Sequence, residues 1–250
     1  MTKKQMYITN LIIHSMVIIL GAIAIIMQLN MHKVVNQVSY GGWHTFRFFT
    51  NDGNIFCMIV SLVNIIYILL YFIKKKDDYP KWLYILNLMS SVNGLLIFFT
   101  VLLILWPTMG PSLFVGYIMV VLHVINPILV TISFLFTMHK DIKKKEGLLG
   151  MVPMALYGIP VLILILSKVW TDYLIPYPFL KVYDNPWWSS LLIISTMFLS
   201  CALVGILLSR LTKIFNLENA DKKKLIISLT VLAFILLMVF ILVLILNIMY

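Results

Sequence analysis

Charge is what this chain has least of. Asp, Glu, Lys and Arg together make up 11% of its 250 residues, while 62% are hydrophobic. A soluble domain carries roughly a quarter of its residues as charges, because it must cover its surface for water. Lipid solvates so apolar a surface and water does not, which excludes a soluble enzyme and a disordered chain. Cysteine is nearly absent: Cys57 and Cys201 each fall inside an apolar run. There is no disulfide framework and no metal quartet. Also missing are G-x-S-x-G, H-E-x-x-H, a P-loop and G-x-G-x-x-G. No Pro/Gly/Ser linker or low-complexity run divides the chain, so it reads as one integral membrane domain.

What is present is seven apolar runs. Each is long enough to cross about 30 Å of hydrocarbon, which takes about 20 helical residues. They lie near Tyr7–Leu29, Asn54–Ile73, Trp82–Trp106, Tyr117–Met138, Leu148–Ser167, Ser189–Ser209 and Leu225–Met249. Backbone polar groups in lipid must be satisfied within the segment, so the expectation is an all-α, polytopic transmembrane bundle. The last run is apolar around its whole circumference and is expected at the edge of the bundle, facing lipid.

The charges that remain are unevenly placed. With the N-terminus inside, 15 of the 19 Lys and Arg fall in inner segments; the outer segments hold only Lys33, Arg47, Lys168 and Lys181. The positive-inside rule then places the N-terminus in the cytoplasm. It also accounts for the net charge of +10 without nucleic acid: the cations sit at helix ends, where they meet anionic membrane lipid.

No span carries a charged residue at its middle, which argues against an ion-coupled pump. The polar residues at membrane depth therefore carry the functional question. His14 and His123 lie about 10 Å in from opposite faces, at about 1.5 Å per residue. That fits a pair of axial haem ligands poorly, and no cofactor is expected. His14 alone reads as a histidine hydrogen-bonded within the bundle. Thr50 precedes the second span, and Thr50, Asn51 and Asp52 are all good helix N-cap residues. Topology also gives Thr50 and His123 comparable depth near the outer face. A hydroxyl and an imidazole in one partly dry site form a nucleophile–base pair. Asn126, three residues after His123, is placed to orient the ring or a substrate carbonyl. Asp52 and Asp172 are the outer acids nearest in topology to serve as a third group. The outer segment 168–188 is aromatic and nearly uncharged, which suits a belt at headgroup level or a roof over a cavity. In the roof reading Tyr177 and Phe179 lie at the cavity mouth, since Pro176 and Pro178 restrict the backbone.

Three segments resemble one known family. YGGWHTFRFFTNDGN (Tyr40–Asn54) is similar to the stretch leading into the threonine of the androgen-induced and androgen-dependent TFPI-regulating membrane proteins. It is closer to the F-x-x-F-T-x-x-S-N pattern of their bacterial relatives, with Gly53 where that pattern has serine. LHVINPILVTISFLF (Leu122–Phe136) resembles the histidine helix, with proline four residues after His123. YLIPYPFLKV (Tyr173–Val182) resembles a Y-P-Y-P-F-L element before the next-to-last helices. The resemblance covers the first six spans, about residues 1–210, and leaves the seventh as an extra C-terminal helix. It implies an intramembrane hydrolase of fatty acid esters of hydroxy fatty acids in a bacterial plasma membrane. Thr50 is then the nucleophile and His123 the base, with Asn54 an orienting residue closing the first motif.

On this reading backbone N–H groups of Asn51 to Gly53 stabilise the oxyanion. Arg47 is a second candidate for that charge or for a fatty-acid carboxylate. Two other readings stand beside it: a carrier or channel for a small neutral solute, and a membrane protein that binds lipid without chemistry. The carrier reading draws on Asn64, Asn87, Ser90, Ser91, Asn93 and Thr100. A hydrolase requires a dead-end pocket with Thr50 at its wall; a carrier requires a path to both faces. Oligomeric state is not specified by the sequence.

Overall fold

Six helices long and apolar enough to cross a membrane form the chain's frame. They are α1 (Lys4–Leu29), α2 (Phe49–Lys74), α3 (Lys81–Leu105), α4 (Tyr117–Phe136), α5 (Lys144–Leu166) and α6 (Ser190–Thr212). The computed structural model describes residues 3–31, 33–35, 38–74, 79–110, 116–137, 142–171, 174–183 and 187–215. The predicted span at 225–249 lies outside the described residues. The architecture is an all-α polytopic bundle. It carries one small addition that hydropathy does not announce, an antiparallel hairpin of β1 (Lys33–Val35) and β2 (Val38–Tyr40) between α1 and α2.

α3 is the central post. It packs on α2, α4, α5 and α6, while α1 packs on α2 and α4 at one side. Leu83, Leu88 and Val92 of α3 are fully enclosed, and Tyr84 stacks on Phe134 of α4 with ring centres 5.0 Å apart. The outward faces of α1, α2, α5 and α6 expose Ile19, Ile59, Ile159, Leu199 and similar side chains, as a lipid-facing surface does.

Lipid is as apolar as leucine, so helices in it associate through close packing at small residues and through hydrogen bonds. Both are present. Gly94 lies against Val130 and Pro127, Gly150 against Val92, and Gly147 against the backbone of Gly205. Asn64 and Asn87 exchange amide hydrogen bonds at 2.7 and 3.1 Å, and the Tyr79 hydroxyl joins them.

His14 is held as expected. Ser133 uses its one proton on Asn10 Oδ1, 2.9 Å away. His14 Nε2, 2.9 Å from Ser133 Oγ, must therefore donate to it, and Nδ1 accepts from Ser61 Oγ at 3.0 Å. This lock joins α1, α2 and α4.

The cation bias makes a direct prediction. Cysteines placed at Lys74 and Lys144 should resist impermeant thiol reagents in intact cells, and one at Lys168 should react. Background is low, since Cys57 and Cys201 are both buried. Ready labelling at Lys74 or Lys144 would invert the topology.

Candidate functional site

The site is built around the first turn of α2. Gly41 has φ +95°, and a Cβ there would meet the Met31 carbonyl oxygen at 1.5 Å, so only glycine fits. A 3-10 turn, Gly42–Arg47, follows and leads into α2 at Phe49. The Thr45 carbonyl accepts from Asn51 Nδ2 at 2.7 Å. The Phe48 carbonyl accepts from the amides of Asn51 and Asp52 at 3.0 and 3.2 Å. Two sequence expectations are corrected here. α2 starts five residues before Asn54, so Thr50 lies inside the first turn and is no N-cap. The Asn51 and Asp52 amides are spent on Phe48 and do not face a ligand.

Helical spacing then divides α2 into faces. Phe49, Asp52, Gly53 and Phe56, at i, i+3, i+4 and i+7, share one side. Thr50, Asn54 and Cys57 share another. A Cβ on Gly53 would fall 2.8 Å from Asn93 Nδ2 and from Ile97 Cδ1. The glycine that departs from the family pattern therefore lets α2 and α3 meet, with Asn93 Nδ2 donating to the Gly53 carbonyl at 2.9 Å.

Thr50 lies on the wall of an apolar pocket between the N-terminal ends of α2 and α6 and the C-terminal parts of α3 and α5. The pocket is slender. It holds about 540 Å³ of space free of atoms, counting its mouth, but only about 30 Å³ admits the centre of a water-sized sphere. Four wall residues are polar, namely Thr50, Thr100, Tyr157 and Tyr177; Val101, Met154, Val161 and Met197 are among the rest.

Tyr177 and Phe179, from the α5–α6 connection, line the same pocket. Their rings stack in parallel with centres 5.3 Å apart, and Phe48 meets Tyr177 edge-on at 6.0 Å. Burial pushes the Tyr177 hydroxyl up to about 12, against the opposing pull of the Thr50 hydroxyl and the Phe49 and Thr50 amides that face its oxygen. Tyr177 is therefore a neutral phenol at neutral pH, in contact with Thr50.

His123 sits in a π turn, Val121–Ile125, within α4. Pro127 has no N–H for the carbonyl four residues back, which is that of His123, and the helix widens by one residue to accommodate it. α3 repeats the device: a π turn at Val101–Leu105 precedes Pro107. His123 is buried but is not among the residues lining the Thr50 pocket.

The two segments are joined through Asn54. Its Nδ2 donates to the carbonyls of Thr50 at 2.7 Å and of Leu122 at 2.9 Å. Those two oxygens are therefore no farther apart than the sum of these distances. Asn126 Nδ2 donates to Asn54 Oδ1 at 3.1 Å and to the Val17 carbonyl at 3.4 Å. It rests on Gly21, where a Cβ would come within 2.7 Å of it. One side-chain chain thus ties α1, α4 and the Thr50 turn.

Arg47 is buried, and its carbonyl accepts from the Tyr157 hydroxyl at 2.7 Å. Asp52 faces a second pocket, which shares the Phe49 and Tyr157 walls. Asp172 lies outside the described residues. Sequence reasoning missed Tyr157, which anchors the 3-10 turn and lines both pockets. Its signal was a lone hydroxyl in the otherwise apolar span LYGIPVL.

No family model, curated protein or solved structure matches the chain.

Proposed function

We propose that the chain is an intramembrane hydrolase of lipid esters, with Thr50 as nucleophile and His123 as base near the outer leaflet. The observation that supports this most is the Thr50 hydroxyl on the wall of a narrow apolar pocket roofed by Tyr177 and Phe179. An acyl chain fits such a slot, and its carbonyl then lies at the polar end. In the reaction the Thr50 oxygen attacks the ester carbonyl and its proton passes to His123. The alkyl C–O bond partner leaves as an alkoxide and takes that proton. Water then cleaves the acyl–threonine ester, returning Thr50 and releasing the acid. The resemblance of Tyr40–Asn54, Leu122–Phe136 and Tyr173–Val182 to the threonine hydrolase family supports the same roles. It also supports a bacterial plasma membrane as the setting and fatty acid esters of hydroxy fatty acids as substrates.

Four of the six polar side chains cited for a carrier bond between helices, while Ser90 Oγ has no partner among the described residues and Thr100 lines the Thr50 pocket. Asn64 pairs with Asn87, Ser91 donates to the Val130 carbonyl, and Asn93 donates to that of Gly53. The pocket is lined from one end of α2, α3 and α6 and from the middle of α5 onward, with no lining residue among the described residues at the opposite end of the bundle, which suits a dead end.

A fluorophosphonate acyl-transfer probe tests the reading. The purified wild type should be labelled at Thr50, and Thr50→Ala should not be labelled. Equal labelling of the two, or a label mapped to another residue, would refute a Thr50 nucleophile.

A further inference from the structure

Next to the Thr50 pocket lies the second one, between the first two turns of α2 and the middle of α3 and α5, and the proposed hydrolysis makes no use of it. It holds about 480 Å³ of space free of atoms, of which about 190 Å³ admits the centre of a water-sized sphere. That is several times the room of the slender pocket beside it. Its walls bring together three aromatic rings, Phe49, Phe56 and Tyr157, with one carboxylate, Asp52. The α2 members are at helical spacing, so all project to the same side. The Asp52 carboxylate makes no hydrogen bond or ion pair among the described residues, and the residue is only partly buried. No basic side chain lines this pocket among the described residues.

An unpaired carboxylate in a half-apolar site is costly unless a cation joins it. Aromatic faces add attraction for a cation that sheds its water easily, which an organic ammonium does and a metal ion does not. The Tyr157 hydroxyl proton is already given to the Arg47 carbonyl, so its oxygen is left as an acceptor only. The side-chain oxygens in the lining are those of Asp52, Asn93 and Tyr157, fewer than the roughly six to eight oxygen ligands that a calcium ion takes.

We propose that the pocket of Asp52, Phe49, Phe56 and Tyr157 binds an organic ammonium group, as a lipid headgroup or as a free small amine. The site is independent of the hydrolase reading, since its occupancy does not require Thr50 to react.

Titration of the full chain with choline, in an uncharged sugar detergent and followed by calorimetry, tests this. Saturable binding is expected, with much weaker binding of the uncharged carbon isostere of choline. Asp52→Asn should weaken choline by roughly tenfold or more, and Phe56→Leu, which keeps the charge, by less. The isostere comparison uses only wild-type protein, so it decides even if a variant fails to fold. Choline binding no tighter than that of the isostere would overturn the proposal. So would unchanged affinity in a folded Asp52→Asn. Reconstitution into phosphatidylcholine or phosphatidylglycerol nanodiscs names the source. Loss of choline binding only in phosphatidylcholine identifies a lipid headgroup as the occupant, and binding retained in both identifies a free amine. The Thr50→Ala variant should bind choline as wild type does, which separates this proposal from the hydrolase reading.

Discussion

Gly205→Val is expected to separate α6 from α5 and to lower stability by about 3 kcal/mol, toward the upper end for overpacking. A Cβ at Gly205 would lie 2.1 Å from the Gly147 carbonyl oxygen and 3.1 Å from its carbon, and one at Gly147 would lie 2.9 Å from the Gly205 oxygen. These are backbone atoms, so no side-chain rotation relieves the clash. One helix must move. α6 carries Ile194 and Met197 of the pocket wall, and the α5–α6 connection carries the Tyr177 roof, so the pocket should widen as well. Gly158→Ala is the control. Its Cβ would meet only Met154 Cε, at an ordinary 3.6 Å, and the change should be neutral or stabilising by up to about 1 kcal/mol. Thermal unfolding of both variants in detergent checks the contrast. A Gly205→Val protein that melts with the wild type would show that the two helices do not meet here.

The spans were legible because hydropathy and length decide them, and six of the seven fall on described helices close to their predicted limits. Facing was much less legible. A span that is apolar all round has no amphipathic stripe to say which side is inside. The interior is marked instead by scattered small and polar residues such as Gly94, Ser91, Asn64 and Asn126, and these need a partner helix before they acquire direction. His14 could be read as a bundle histidine, but Ser61 and Ser133 as its partners could not. The start of α2 was misplaced because Thr50, Asn51 and Asp52 are good caps, and hydropathy gives no credit to a polar first turn. The 3-10 turn and the Phe48 carbonyl supply there what a cap would have supplied. The prolines four residues after Leu103 and His123 were visible, and each marks a π turn. The Asn54 link from Thr50 to Leu122 was not visible, since it depends on the relative rotation of α2 and α4.

Thr50→Ala and His123→Ala should each lower ester hydrolysis by a factor on the order of a thousand or more, and the double variant should be about as slow as either alone. The reason lies in how the roles are divided. Without the hydroxyl no acyl–threonine forms, and the base has no proton to take; without the base the hydroxyl is a poor nucleophile at neutral pH. Residues that act as a unit are non-additive in this way, whereas two side chains with separate structural tasks would lose activity in proportion to both. Thr50→Ser should retain part of the rate, because it keeps the oxygen and loses one methyl group. Asn54 offers a further discrimination. It holds the carbonyl of Thr50 and that of Leu122, the residue before His123, and touches the pocket wall only through Thr50. Asn54→Leu should therefore lower kcat with little change in KM, since it loosens the spacing of nucleophile and base while leaving the apolar slot intact. Multiplicative losses in the Thr50 and His123 double variant would remove His123 from the reaction and leave its π turn as a packing feature around Pro127.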